Sequence, residues 1–175
     1  MKSLQESLFD TDLVSKDIIY HPKTNDELRN IIKEQLKIQG PDANLNIIDV
    51  SKIDDMEDLF QGLNPGNIDI SKWDVSRVQH MNFMFYNCSS FNSDLSKWVS
   101  RVEDMRSMFY RCKKFDFDLS NWDVKNVKYM NYMFSGCENF NSDLSKWDVS
   151  KVKTMYYMFK GCKSLKKIPD WYEKS

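Results

Sequence analysis

A block of about 25 residues recurs through most of this chain of 175 residues. NIDISKWDVSRVQHMNFMFYNCSSF (67–91) returns as NSDLSKWVSRVEDMRSMFYRCKKF (92–115). It returns again as DFDLSNWDVKNVKYMNYMFSGCENF (116–140) and NSDLSKWDVSKVKTMYYMFKGCKSL (141–165). A weaker copy precedes these: Ile48, Val50, Ile53, Met56, Leu59 and Phe60 stand 25 positions before Trp73, Val75, Val78, Met81, Met84 and Phe85. Leu165, Ile168 and Trp171 begin a truncated copy. A unit this short has no core of its own and must bury its apolar residues against its neighbours, with atypical units at the ends.

The organisation read from the period is a helical N-terminal cap (1–43), a degenerate first repeat (44–66), four repeats of 24–25 residues (67–165) and a truncated C-terminal capping repeat (166–175). In the cap, residues 3–9 have the spacing of a short amphipathic helix, and 24–39 have that of a longer one. Thr24 and Glu27 are placed for a capping box, Leu28, Ile31, Ile32 and Leu36 form one stripe, and Gly40-Pro41 is a stop. In each repeat, residues such as Met81, Met84, Phe85 and Cys88 fall at i, i+3, i+4 and i+7, which predicts a helix of about two turns. Ser76 with Gln79, and Ser100 with Glu103, are candidate caps for it. The stretch Asp94–Trp98 predicts a short strand that pairs with its copy in the next unit. The expected fold class is therefore an α/β repeat solenoid, a stack of very short parallel strands and short helices behind a helical cap.

Composition now acquires a meaning. All five Trp, all four Cys and nine of the ten Met fall in register with the repeat. A Trp buries roughly 150–250 Å² and supplies cohesion between units, while Met fills irregular gaps. The Cys come singly, never as a CxxC pair, and the two His are His21 and His80, so packing is favoured over metal or redox chemistry. Asp69, Asp94, Asp118 and Asp143 recur, as do Asp74, Asp123 and Asp148; they read as turn residues rather than a calcium site or a carboxylate pair. Asn67, Asn92 and Asn141, with Asp116 as substitute, read as a ladder bonding backbone. No phosphate loop, dinucleotide fingerprint, nucleophile elbow or zinc-protease motif occurs, so the expectation is a non-enzymatic protein with no cofactor and no metal.

The recurring pattern F-N-x-D-L-S-x-W-D-V-S-x-V-x-x-M-x-x-M-F-x-x-C resembles the BspA-like leucine-rich-repeat family of bacterial surface proteins. It is most similar to the Trp-Asp-Val, Met-x-x-Met-Phe variety also seen in mycoplasma-type lipoproteins. The resemblance covers about residues 44–171. It implies a leucine-rich-repeat-like solenoid, a role in adhesion or protein–protein contact, and no catalytic residues. Its members are usually displayed at the cell surface and often lipidated. MKSLQESLFDTDLV carries no continuous apolar core, no Cys precedes Cys88, and no apolar run approaches the ~18–20 residues of a membrane span. The expectation is accordingly a cytoplasmic or virion-associated location, with no membrane insertion.

If the repeated residues are scaffold, binding belongs to positions where the copies differ. Phe83, Tyr86, Tyr110, Tyr132, Tyr156 and Tyr157, interleaved with Arg106, Arg111 and Lys160, are the candidate stripe. Tyr and Arg dominate interface hot spots. Charge is uneven as well: residues 1–66 carry a net −6 and residues 67–175 a net +5. The leading expectation is a protein-interaction module with an unidentified protein partner, the opposed charges also favouring head-to-tail self-association. Two alternatives stand beside it. One is a phage or mobile-element structural or accessory protein docking through its N-terminal segment. The other is binding of nucleic acid or an acidic partner by the basic half, nucleic acid being disfavoured by the overall charge of −1.

Overall fold

The computed structural model describes residues 18–98 and 101–172; the expected helix over 3–9 and the cap at Ser100 lie outside them. One helix is present among the described residues, α1 (Asn25–Gln39). Thr24 Oγ1 accepts the Glu27 N–H (3.2 Å), as a capping residue should. The Glu27 carboxylate reaches one residue further back than a capping box requires, accepting from Lys23 N–H (2.7 Å). Gly40, at φ 88°, ends the helix by donating its N–H to Leu36 O. Leu28 and Ile32 are fully buried, and Ile31 and Leu36 pack half-buried beside them.

The strands and helices expected in the repeats are not formed. Residues 81–87 are a run of turns closed by bonds such as Met84 N–H to Met81 O and Cys88 N–H to Phe85 O. Phe83 and Asn87 have φ of 57° and 60°, left-handed values that no α-helix tolerates. Left-handed residues recur in the other copies: Asp58 and Gly62, Ser107 and Arg111, Tyr132 and Gly136, Tyr157 and Gly161. Asp94–Trp98 likewise ends in a turn, Trp98 N–H bonding Leu95 O (3.0 Å), rather than in a strand. Parallel pairing is confined to isolated single bridges, with Asp55, His80, Asp104, Tyr129 and Thr154 joined in succession. The leucine-rich-repeat-like solenoid of alternating strands and helices is thus corrected to a stack of irregular, turn-built repeats behind one helix. The physical reason is that i, i+3, i+4, i+7 spacing also suits consecutive i→i+3 turns, whose remaining N–H groups are free to bond the next repeat.

Those free groups hold the stack together. The N–H groups of Met81, Phe83, Phe85 and Asn87 donate to the carbonyls of Asp104, Arg106, Met108 and Tyr110, at 2.8–3.0 Å. Met105, Ser107, Phe109 and Arg111 donate in turn to Tyr129, Asn131, Met133 and Ser135. Met130, Tyr132, Phe134 and Gly136 donate to Thr154, Tyr156, Met158 and Lys160. Every bond in these three sets runs from N–H in one copy to C=O in the following one; a smaller set runs back, Glu103, Lys128 and Lys153 donating to Gln79 O, Glu103 O and Lys128 O. The first copy's outward carbonyls are met instead by α1: Asn25 Nδ2 donates to Glu57 O (2.8 Å), and the Arg29 guanidinium to Asp58 O, Leu59 O and Gln61 O.

The core runs along the stack as files of aromatic rings. Phe60, Phe85, Phe109, Phe134 and Phe159 follow one another with centroids 5.0–6.0 Å apart and nearly parallel planes. Phe91, Phe115 and Phe140 make a second file against the first. Each indole N–H finds a carbonyl in the preceding copy: Trp73 to Leu45 O, Trp98 to Ile70 O, Trp122 to Leu95 O, Trp147 to Leu119 O and Trp171 to Leu144 O. The Trp residues therefore contribute both buried area and a satisfied donor.

Two stability predictions follow from this packing. Trp122 is buried in the middle of the stack and Trp171 half-buried at its end, so Trp122→Ala costs about 3–5 kcal/mol and Trp171→Ala less than half as much. Equal chemical-denaturation midpoints for the two variants would refute the stacked packing. Arg29→Met leaves three backbone carbonyls without their cationic donor, a loss of about 1.5–3 kcal/mol. Arg29→Lys, which lacks the fork of donors, recovers part of it in the same denaturation experiment.

Candidate interaction surface

The variable aromatic side chains form a continuous row across four repeats. Phe83 meets Tyr86 edge-on at 5.7 Å, and Tyr86 stacks on Tyr110 at 4.8 Å. Tyr110 meets Tyr132 edge-on at 6.4 Å, and Tyr132 contacts both Tyr156 (5.4 Å, edge-on) and Tyr157 (5.3 Å, stacked). The row changes column halfway. Tyr86 and Tyr110 occupy one repeat position; Tyr132 and Tyr157 occupy another, three residues earlier. In the two middle repeats the column without Tyr holds a buried Ser, Ser107 within Tyr110's repeat and Ser135 within Tyr132's, whereas Phe83 stands beside Tyr86 and Lys160 beside Tyr157. The small residue leaves room for the neighbouring ring.

Cations sit over this row. The Arg111 guanidinium lies 5.1 Å from the Tyr110 ring centroid, and Lys160 Nζ lies 5.4 Å from that of Tyr157. Arg106 is placed differently. It forks onto the buried Asp104 carboxylate (2.6–3.0 Å) and lies 5.5 Å from the Tyr129 ring. Asp104 holds the Arg106 guanidinium in its charged form, raising its pKa. Lys153 Nζ stands 5.8 Å from the same Tyr129 ring, so two cations flank it. All nine stripe residues are thus at the surface or half-buried; eight connect along the tyrosine row, and Arg106 belongs to a neighbouring cluster around Tyr129.

Sequence reasoning passed over Tyr129. Its signal was available: the position before the first Met of each copy reads Asp55, His80, Asp104, Tyr129 and Thr154, as variable as any in the repeat. These are also the residues of the single-bridge ladder. Three stripe aromatics, Phe83, Tyr132 and Tyr157, have φ of 57–58°, a backbone region uncommon for bulky side chains and costing about 1–2 kcal/mol per residue. Spacing alone gives no hint of that.

The repeated polar residues are occupied with structure. Cys88, Cys112, Cys137 and Cys162 donate their S–H to the carbonyls of Phe60, Phe85, Phe109 and Phe134 in the preceding copy. Burial pushes the Cys88 and Cys162 thiols up to about 12, and raises Cys112 and Cys137 as well. These are neutral packing groups. Asp94, Asp118 and Asp143 accept the N–H of Ser96, Ser120 and Ser145 two residues on, the Asx turns expected of them. Asn92 and Asn141 accept backbone N–H groups of Asp116 and Lys166 in the next copy, and Asp42 takes that role for Asn67. No group of three or more metal-ligating side chains converges among the described residues. No helix among them is long and apolar enough to cross a membrane.

The family described as Mycoplasma protein of unknown function, DUF285, matches residues 27–115 and 99–175. The chain belongs to this family. No curated protein and no solved structure matches it.

The Asx turns carry a pH dependence. Ser96 bonds hold the Asp94 carboxyl below the ordinary value of 3.8, and the Ser120 N–H followed by the Ser142 and Ser120 hydroxyls does the same for Asp118. A carboxyl lowered by folding stabilises the fold above its unfolded pKa, and this is lost as pH falls through the folded value. The melting temperature is therefore expected to drop from about pH 3.8 downward. Asp118→Asn, whose amide oxygen can still accept from Ser120, makes that fall shallower. An unchanged acid limb in this variant would remove the Asp turns as its cause.

Proposed function

We propose that the chain is a non-enzymatic protein-interaction module that binds through the row Phe83–Tyr86–Tyr110–Tyr132–Tyr156/Tyr157 with its flanking Arg111 and Lys160. One observation carries this reading: large rings stand at left-handed positions where Asp58 and Ser107 serve in other copies. The conformational cost is accepted without fully burying those rings: Phe83 and Tyr132 are half-buried and Tyr157 is 52% exposed. Tyr and Arg supply broad contact area at a low cost in side-chain entropy. The kinship to BspA-like surface proteins belongs to the same proposal: what is shared with them is a repeated scaffold that presents variable side chains to another protein. The buried neutral thiols and the carboxylates engaged in turns support the non-enzymatic part of this reading.

The test is a pull-down with the intact protein from extracts of its own cells and of cells it contacts, at low salt and at about 0.5 M salt. An aromatic interface persists at the higher salt, where a Debye length of only a few ångströms screens exposed charges. Tyr110→Ala combined with Tyr132→Ala is expected to abolish capture while leaving the melting temperature within a few degrees. Retained capture by the double variant would exclude the row. Capture that vanishes at high salt in the parent protein would favour binding by the basic half instead.

A further inference from the structure

The hydrogen-bond ladder between repeats has two unlike ends. At the first copy the outward groups are carbonyls, and α1 meets them through Asn25 and Arg29. At the last copy the outward groups include a row of four N–H groups, those of Met155, Tyr157, Phe159 and Gly161, the counterparts of Met130, Tyr132, Phe134 and Gly136. Their counterparts all donate across the stack; these four have no acceptor among the described residues. The truncated final copy covers another part of this end. Trp171 stacks on Trp147 and Tyr172 packs edge-on against Phe159, both against rings of the aromatic core.

The electrostatics of this end match its donors. Residues 151–172 hold six Lys against one Asp; Lys153 precedes the four N–H groups in sequence and Lys160 stands between the last two, both exposed. Aligned N–H groups concentrate partial positive charge, as at a helix N-terminus, and the lysines add whole charges. We propose that the segment 155–161 is a docking edge for an extended acidic segment of a partner protein, whose backbone carbonyls accept from Met155, Tyr157, Phe159 and Gly161 while its carboxylates meet Lys153 and Lys160. Edge addition of this kind draws affinity from main-chain bonds and selectivity from side chains. The register is already built three times within the chain, where successive copies present carbonyls at alternate residues to the same four donors. A second copy of the chain is a poorer occupant, because among the described residues the comparable row of outward carbonyls, at the first copy, is held by Arg29 and Asn25.

Amide hydrogen exchange by NMR on the full chain tests this directly. In the free protein the amides of 155, 157, 159 and 161 should exchange roughly 100-fold or more faster than those of 130, 132, 134 and 136. The probe is an end-blocked octapeptide of alternating Glu and Val. Its addition should slow the four edge amides about tenfold or more, and an octapeptide with Lys in place of Glu should not. Lys153→Glu combined with Lys160→Glu should abolish the effect. Tyr110→Ala with Tyr132→Ala should preserve it, which separates this edge from the tyrosine row. Four outcomes would overturn the proposal: edge amides already slow in the free chain, peptide binding without slower exchange, protection by octathymidylate rather than the Glu peptide, or protection that grows with protein concentration alone.

Discussion

The structure depends on backbone hydrogen bonds between repeats, most of which point one way. Each of the repeats from 67 to 140 gives four backbone N–H groups to the carbonyls of the next and the weaker first copy gives three, while a smaller set, such as Lys128 N–H to Glu103 O, runs in reverse. A 15-residue helix satisfies its backbone within itself; a turn-built repeat of 25 residues satisfies much of its backbone only through its neighbours. The aromatic files, the indole bonds and the thiol bonds all fall into the register that these contacts set. Left-handed residues at two positions per copy follow from the same demand, because they turn the chain without consuming the N–H groups that the ladder needs.

The repeated residue types make sense in that frame as hydrogen-bond partners no less than as volume. A Trp inserted between copies needs an acceptor and finds one a full repeat behind it. A Cys fits where a methyl-sized group is required beside a Phe carbonyl that can take its S–H. Asp and Asn close turns and link copies through their oxygens. Removing any one of these exposes an unsatisfied group in a tightly packed interior, which is more costly than the loss of its contacts alone.

Much of this was legible in the sequence, and the limits have physical causes. The period located Trp122, Phe109, Met108 and Cys137 in the core, and Thr24 and Gly40 bounded α1. The local conformation was not legible, because Met81, Met84, Phe85 and Cys88 satisfy helical spacing and consecutive turns equally well. Nothing in the letters Phe83 or Tyr132 announces a positive φ. The stripe's members could be named from their variability, but the shift of column at Ser107 and Ser135, and the separate pairing of Arg106 with Asp104, required the packed chain. Arg29 is an ordinary helix residue by sequence. Only the unmet carbonyls of the first copy explain it.

Membership of a family without an assigned function places weight on how constant and variable positions divide. The division here is sharp: one set is committed to the interior and the ladder, the other to a row of rings and cations on the outside. The direction of the ladder has one more consequence, for synthesis. A ribosome releases α1 before the first copy whose carbonyls it covers, and each finished copy then presents a row of donors toward the chain still emerging. Growth from the amino end therefore proceeds like zipping from a sealed stop, every new block meeting a prepared template, whereas a chain refolding at full length can start in any of several near-identical blocks.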